Sequence, residues 1–228
     1  MNESTPQDLV VDDVSRRFGR RWAVARVSFH LQPGARLMIT GANGSGKTTL
    51  LRCLATAIRP HSGFIRVGGQ DIWPQRDHLR PQIAYFSHAP RLYDDLNARD
   101  NLDVWAKLGG YTVDSTSLLT QVGLPKDRSE PVRTFSAGMR RRLAFARILM
   151  QKPGIILLDE PFSALDPQGR QNLIELLKTH CTAKTILVVA THMPQVCASL
   201  CPTSIHMESG QAIWKGQSQD NPLIRVRT

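Results

Sequence analysis

The chain has 228 residues, of which 41% are hydrophobic and 21% are charged, a composition typical of one globular domain or one domain carrying a subdomain. The longest apolar runs, Ile155–Leu158 and Ile186–Ala190, are far shorter than the roughly 20 residues of a membrane-spanning helix. The N-terminus has neither the basic start nor the apolar stretch of a secretory signal. We therefore expect a chain that serves a membrane, if at all, from the cytoplasmic side and through a partner.

Basic residues are in excess, with 29 Lys and Arg against 19 Asp and Glu, for a net charge of +10. Such an excess favours anionic partners, although it can also be no more than a basic surface. The arginines occur in short, scattered groups and form no extended stripe interleaved with aromatic residues. This pattern is unlike a nucleic-acid-binding stripe, so we expect no nucleic-acid partner.

Two of the four cysteines allow a metal site to be considered. Cys197 and Cys201 would face one another on a helix, with His192 nearby. The paired C-x2-C spacing of structural zinc sites is absent, however. Free thiols are therefore the favoured interpretation of all four, Cys53, Cys181, Cys197 and Cys201.

The first third of the chain predicts a β-hairpin followed by a strand, a glycine loop and a helix. Apolar and polar residues alternate from Leu9, which indicates an antiparallel hairpin or an edge strand that continues through Ala25–Leu31. A short buried strand is expected at Arg36–Thr40, and a helix at Thr48–Ala57.

Later segments complete an α/β pattern. Residues 89–150 have a helical texture, which predicts a helical subdomain inserted between core segments 1–88 and 151–228 of a single domain. The apolar runs predict strands of a buried, mostly parallel sheet. The expected strands are Phe64–Val67, Ile83–Phe86, Ile155–Leu158 and Thr185–Thr191, with an amphipathic helix at Gln168–Thr179.

The glycine loop has the composition and spacing of a phosphate-binding loop. Its glycines let backbone N–H groups curl around phosphate oxygens, Lys47 supplies a positive charge, and the Thr48 hydroxyl is a magnesium ligand. The helix that follows adds its N-terminal dipole. The residues expected to contact ATP here are Gly41, Ala42, Asn43, Gly44, Ser45, Gly46, Lys47, Thr48 and Thr49.

A pair of carboxylates ends the strand that begins at Ile155. A carboxylate at the C-terminal end of a buried strand lies where ligands bind in open α/β sheets. We expect Asp159 to hold Mg²⁺ through water and Glu160 to act as the general base. Taken alone, the pair could be a simple strand exit.

A capped helix start lies between these two motifs, in the run Phe135-Ser-Ala-Gly-Met139. Ser136 can cap the helix, which makes the segment an ordinary amphipathic helix. Its small residues also make the helix N-terminus a potential anion site.

These motifs, in this order, resemble the ATP-binding subunits of ABC transporters, which have a RecA-like phosphate-loop NTPase core. The resemblance extends over essentially the whole chain. It implies that Phe135–Met139 is the signature motif, departing from the usual Leu-Ser-Gly-Gly-Gln, and that Ser136 and Gly138 contact phosphate. In this family the signature of one subunit completes the site of another, so a dimer, expected to be a homodimer, is implied.

The resemblance also assigns roles outside the phosphate loop. Asp166 ends the loop that passes between the two sites, and His192 corresponds to the switch histidine near the γ-phosphate. Phe18 lies where the family stacks a ring on adenine, with Trp22 as the alternative and a role in the core also open.

His88 is the most informative departure from the family pattern. Most members have a glutamine at this position, which touches Mg²⁺ and relays the nucleotide state to the membrane subunit. The resemblance therefore implies that His88 is a catalytic and metal-contacting residue. A histidine at this position would make the contact with Mg²⁺ sensitive to pH. The alternative is that His88 merely lines a loop.

Tyr85-Phe-Ser-His-Ala-Pro90 and Leu96-Asn-Ala-Arg-Asp-Asn-Leu102 are similar to one branch of the family, the CcmA haem-exporter ATPases of cytochrome c maturation. The implied function is an ATPase that powers haem export through a membrane-embedded permease at the inner membrane. Exporters of a drug, lipid or polysaccharide remain alternatives. Soluble ABC ATPases are less favoured, because the chain has a single glycine loop and no heptad repeat. A small-molecule kinase is less favoured, because it would leave the motifs at 135–139 and 163–166 unexplained.

Overall fold

A computed structural model of the protein describes residues 7–87, 91–214 and 223–226. Within these ranges the strands are β1 Leu9–Phe18, β2 Arg21–Leu31, β3 Arg36–Thr40, β4 Ser62–Val67, β5 Gln70–Asp71, β6 Ile83–Phe86, β7 Ile155–Asp159, β8 Ile186–Ala190, β9 Thr203–Glu208, β10 Gln211–Trp214 and β11 Ile224–Val226. The helices are α1 Lys47–Leu54, α2 Arg76–Leu79, α3 Ala98–Gly109, α4 Ser115–Gln121, α5 Ala137–Gln151, α6 Pro167–His180 and α7 Pro194–Cys197. Short 3-10 turns cover Arg80–Gln82 and Val132–Thr134.

The strands form two sheets. The first is antiparallel, with the order β11-β2-β1-β4-β5. The second has the order β10-β9-β3-β8-β7-β6, and its described pairings are parallel except for that between β9 and β10. The predicted α/β fold, with a mostly parallel sheet and an N-terminal antiparallel part, is confirmed.

The central strands of the second sheet are apolar throughout because both faces of this sheet are covered. Side chains alternate between the faces. In β7, Ile156 and Leu158 belong to the core shared with helices α3 to α6. Ile155 and Leu157 belong to the core shared with α1 and the first sheet. The continuous apolar run therefore arises from a strand placed between two cores.

Helix bounds differ from the sequence prediction by a few residues. The helix predicted at 48–57 runs from Lys47 to Leu54, and Thr56 just beyond it adopts a left-handed φ of 57°. α6 begins at Pro167, because the Asp166 side chain accepts a hydrogen bond from the backbone N–H of Gly169 at 2.9 Å. Strands β9, β10 and β11 were not predicted.

Parallel strands place their C-terminal ends at one edge of the sheet. The glycine loop follows β3, the two carboxylates end β7, and His192 comes shortly after β8. Segments that are far apart in sequence are thereby brought to one edge. Within the described ranges, no helix combines the length and the apolar character that crossing a membrane requires.

Candidate active site

Two glycines of the loop between β3 and α1 cannot be replaced without collision. Gly41 has a φ of 140° and Gly46 a φ of 111°, values that L-residues rarely adopt. A Cβ at Gly41 would lie 2.2 Å from the Met207 carbonyl oxygen, and a Cβ at Gly46 only 2.0 Å from that of Ala23. Strands β2 and β9 therefore lie so close to the loop that only glycine fits at these two positions, and the missing side chains leave the loop backbone uncovered there.

A buried lysine supplies positive charge within this loop. Lys47 is only 6% exposed, and its Nζ donates hydrogen bonds to the carbonyl oxygens of Gly41 at 2.7 Å and Ala42 at 2.9 Å. The buried Ser45 hydroxyl has no hydrogen-bond partner among the described residues. A buried polar group without a partner is costly unless a ligand satisfies it. The loop thus has the features that an anion such as a phosphate requires.

A cavity of about 380 Å³ opens over the loop. It extends from Phe18, which is half exposed, to Glu160 at the end of β7. The Arg16 guanidinium carbon lies 4.9 Å from the centre of the Phe18 ring. The other lining residues are Arg21, Ala23, Asn43, Gly44, Gly46, Lys47, Thr48 and Thr49. Trp22, the alternative to Phe18, is not among the described residues that line this cavity.

Asp159 is buried beside the cavity residue Thr48 and is only 2% exposed. Its Oδ1 accepts a hydrogen bond from the Thr48 hydroxyl at 3.0 Å, and its Oδ2 accepts one from the Tyr85 hydroxyl at 3.1 Å. Burial raises the pKa of Asp159, and the two hydrogen bonds oppose this shift. The Thr48 and Asp159 oxygens are hard ligands of the kind that Mg²⁺ prefers, so these residues fit the metal.

Glu160 and His192 form a hydrogen-bonded pair beside this carboxylate. The imidazole Nδ1 of His192 lies 2.8 Å from Glu160 Oε2, which also accepts the His192 backbone N–H at 3.3 Å. The Glu160 side chain is 16% exposed, so it can reach a water molecule in the cavity. A carboxylate held in this way has the geometry of a general base.

Comparison with known proteins agrees with this geometry. The sequence model of the family described as "ABC transporter" matches residues 24–163. The cytochrome c biogenesis ATP-binding export protein CcmA of Nitrosococcus oceani is 36% identical, over 84% of this chain and 88% of that protein. The CcmA of Aromatoleum aromaticum is also 36% identical, over 84% and 91%. The chain belongs to the ABC transporter family. It is the ATP-binding and ATP-hydrolysing subunit of such a transporter.

Solved structures support the same fold for this ABC ATPase. The ATP-binding subunit of an ABC transporter has a TM-score of 0.82 and 24% identity, over 93% of this chain and 90% of that one. A dimeric ATP-binding cassette in a post-hydrolysis state, bound to ADP and Pi, has a TM-score of 0.79 and 22% identity, over 90% and 96%. ABC ATPases in general dimerise and act with membrane permeases.

The residues predicted to form the signature of this ATPase do not line the cavity over its own phosphate loop. Ser136 caps α5 by accepting the Met139 N–H at 3.2 Å. Gly138 and Asp166 line a second cavity of about 640 Å³, bounded by α4, α5 and α6. Within one chain the structure therefore brings together the phosphate loop, Phe18, Asp159, Glu160 and His192, but not the signature.

Two further predictions concern His88 and the cysteines. His88 lies outside the described residues. Cys197 and Cys201 are linked by a backbone hydrogen bond of 2.9 Å between the Cys201 N–H and the Cys197 carbonyl. All four cysteines are free and buried. The described ranges contain no cluster of three or more His, Cys, Asp or Glu side chains suited to a metal ion.

The sequence analysis did not single out two residues at the site, Tyr85 and Arg141. Tyr85 donates to Asp159, and burial next to this carboxylate raises the pKa of the phenol to about 12. Arg141 donates to the carbonyls of Glu160 and Pro161. Tyr85 carried a weak signal as a polar-tipped residue near the C-terminal end of a predicted strand. The sequence contains no comparable signal for Arg141.

Proposed function

We propose that this ATPase powers the export of haem during cytochrome c maturation. It would act as a peripheral subunit at the cytoplasmic face of the inner membrane, bound to a membrane-embedded permease. The observation that carries the proposal is the similarity to two CcmA proteins over most of the chain. The chain is 36% identical to two CcmA proteins and spans 88% and 91% of their lengths.

Exporters of other molecules are the second candidate. The linearmycin resistance ATP-binding protein LnrL of Bacillus subtilis is 30% identical over 93% of this chain, and the Nod factor export ATP-binding protein I of Burkholderia pseudomallei is 32% identical over 89%. The chain spans only 70% and 68% of those proteins. The higher identity of 36% to the CcmA proteins therefore favours the CcmA-like function over drug or Nod factor export.

At the site, the proposed cofactor of the ATP substrate is Mg²⁺. Thr48 and Asp159 would hold it, the latter through water, and when bound it offsets negative charge on the phosphates. Lys47 would contact the β- and γ-phosphates. Glu160 would accept the proton of the attacking water, and His192 would orient Glu160 and approach the γ-phosphate. Phe18, half exposed at the end of the cavity, would stack on adenine.

The proposed working unit contains two ATPase subunits, most simply two copies of this chain. Ser136 and Gly138 lie at the N-terminus of α5, where backbone N–H groups favour an anion. Because they are separate from the phosphate loop of their own chain, they are free to complete the site of the second subunit. Asp166 would lie on the loop between the two sites. The proposed division is a core of residues 1–88 and 151–228 and a helical subdomain of 89–150.

The proposed roles of Glu160 and Lys47 are tested by Glu160→Gln and Lys47→Ala. Glutamine keeps the size of Glu160 and a hydrogen bond to His192, but it cannot accept the proton of water. We expect kcat to fall by about 10² to 10⁴-fold while ATP still binds, and ATP to trap a dimer in gel filtration. Lys47→Ala should abolish nucleotide binding. An unchanged hydrolysis rate in Glu160→Gln would refute the general-base role.

The export function is tested by deleting the gene and restoring either the wild type or Glu160→Gln. We expect only the wild type to restore proteins with covalently attached haem, as measured by haem staining of membranes. A tagged chain should co-purify a membrane permease. Normal c-type cytochromes in the deletion strain would contradict haem export, and a gain in antibiotic sensitivity there would favour the second candidate.

A further inference from the structure

The buried side chain of Arg141 connects the signature helix to the turn that carries Glu160. It is 5% exposed and extends from α5 towards the residues after β7. Its Nη1 donates to the carbonyl oxygens of Glu160 at 2.9 Å and Pro161 at 2.8 Å. Its Nη2 donates to the Ser163 hydroxyl at 2.7 Å. One guanidinium thus contacts three of the four residues from Glu160 to Ser163.

The turn that Arg141 contacts has an unusual backbone. Glu160 and Ala164 have φ values of 52° and 57°, in a region that costs non-glycine residues roughly 1 kcal/mol or more. The Ser163 hydroxyl donates to the Glu160 carbonyl at 2.9 Å. The Glu160 carbonyl oxygen therefore accepts hydrogen bonds from both Arg141 and Ser163. These bonds favour the left-handed conformation from which the Glu160 side chain extends into the cavity.

A buried guanidinium needs such partners. Burial lowers the pKa of Arg141, and the nearby Glu160 carboxylate opposes this shift, but an arginine remains charged in either case. Hydrogen bonds from a charged donor are about twice as strong as neutral ones. The planar fork of arginine matches three acceptors in a fixed geometry, which the single ammonium of lysine cannot do.

The position of Arg141 along α5 gives this contact its meaning. The helix begins after Ser136, whose hydroxyl caps it, and Arg141 lies within the second helical turn. Fewer than two helical turns therefore separate the start of α5 from the residue that donates to the carbonyl of Glu160. Arg141 therefore connects the helix that carries the predicted signature residues to the main chain of Glu160 in the same chain.

We propose that Arg141 is a positioning residue for ATP hydrolysis, which holds the main chain of Glu160 so that its carboxylate is aligned in the cavity. The side chain also couples the signature helix, which would contact the nucleotide of the second subunit, to the general base Glu160 of the same chain. This inference rests on the proposed role of Glu160. It concerns the orientation of the base and not the affinity for ATP, because Arg141 does not line the cavity over the phosphate loop.

The first experiment compares Arg141→Gln and Arg141→Lys with Arg142→Gln in the full-length chain. Arg142 lies on the same helix, but its Nη1 donates to the Gly123 carbonyl at 2.9 Å, away from Glu160. We expect Arg141→Gln to lower kcat by about 10 to 100-fold, since a misplacement of about 1 Å has such an effect. The dissociation constant of a fluorescent ATP analogue should stay within about threefold of the wild type, because the phosphate loop is untouched.

Arg141→Lys should recover part of kcat, and Arg142→Gln should behave as the wild type. If kcat of Arg141→Gln equals that of Arg142→Gln, or if binding weakens in proportion to kcat, the positioning role is refuted. Glu160→Gln is measured in the same preparations. Full activity of Glu160→Gln would refute the general base itself, whereas an inactive Glu160→Gln beside an active Arg141→Gln would refute only the inference about Arg141.

Ser163→Ala provides a test in which the buried arginine is kept. It removes one acceptor of Arg141 and one donor to the Glu160 carbonyl. We expect kcat to fall by about 3 to 10-fold, corresponding to the loss of the one modest hydrogen bond that the hydroxyl donates to the Glu160 carbonyl. Because both residues act on one carbonyl, the effects in Arg141→Gln/Ser163→Ala should be clearly less than multiplicative. Fully multiplicative effects on kcat in the double variant would overturn the proposal. If Arg141→Gln does not fold, an unchanged kcat in Ser163→Ala would overturn it.

Discussion

Removing the hydroxyl of Tyr85 tests a single contact of the site, the hydrogen bond to Asp159. This hydroxyl lies 3.1 Å from Oδ2 of Asp159, a side chain that is 2% exposed. Tyr85→Phe removes one oxygen atom and leaves the ring in place. Asp159 keeps the hydrogen bond from Thr48 to Oδ1 but loses the donor to Oδ2. The variant therefore leaves a buried carboxylate oxygen without its protein partner.

The magnitude follows from that lost partner. Leaving a buried polar group unsatisfied costs about 1 to 3 kcal/mol. In a domain of 150 to 250 residues, each 1 kcal/mol shifts Tm by roughly 2 to 4 °C. At about 2 kcal/mol, we expect Tyr85→Phe to lower Tm by about 4 to 8 °C. The free energy of unfolding should fall accordingly in urea, with the slope of the transition unchanged.

The assay is thermal unfolding followed by circular dichroism at pH 7.5 without nucleotide. Tyr93→Phe is the matched control, because Tyr93 is 41% exposed and its hydroxyl can reach water. We expect the control to change Tm by less than about 2 °C, since most surface substitutions change stability by at most about 0.5 kcal/mol. Equal Tm values for the two variants would refute the reasoning that Tyr85 stabilises the buried Asp159.

Two further predictions concern the loop and the thiols. Gly46→Ala should weaken ATP binding at least tenfold, because the new methyl would lie 2.0 Å from the Ala23 carbonyl oxygen. Gly69→Ala, where a Cβ would meet nothing within 4 Å, should bind ATP as the wild type does. Equal binding by both variants would contradict the steric argument. Burial raises the pKa of Cys53 to about 12 and of Cys181 to about 11, so at pH 8 iodoacetamide should label the native protein far more slowly than the protein in guanidinium, and rapid native labelling would refute this. Because the folded state holds these protons more tightly, the stability that the two thiols contribute should be constant below the unfolded thiol pKa near 9 and be lost as the pH rises towards 11 and 12.

The phosphate loop could be predicted because its chemistry is local. The nine residues Gly41–Thr49 contain the glycines, the cation and the hydroxyl, and a short apolar strand and a helix flank them. Glycine spacing is readable in a linear sequence, and so is a carboxylate at the end of an apolar strand. The position of Glu160 beside the loop was predictable for the same reason, since parallel strands end at one edge.

The C-terminal strands show where sequence patterns became too weak. β9 pairs in parallel with β3, from which it is separated by more than half of the chain. β9 and β10 cover only six and four residues, and β11 only three. Such short segments have little periodicity, and their place in a sheet depends on partners from distant parts of the chain.

What the sequence alone determined about this protein is therefore the family, the list of proposed reacting groups and the order of its main elements. The tertiary structure decided how those groups are held. Tyr85 reaches Asp159 across 74 residues, and Arg141 reaches the carbonyl of Glu160 across 19. Neither contact has a periodic pattern, because each depends on which helix packs on which strand and on the need of a buried charge or carbonyl for a partner. The residue types of the catalytic site are local information, whereas their alignment is a property of the packed fold.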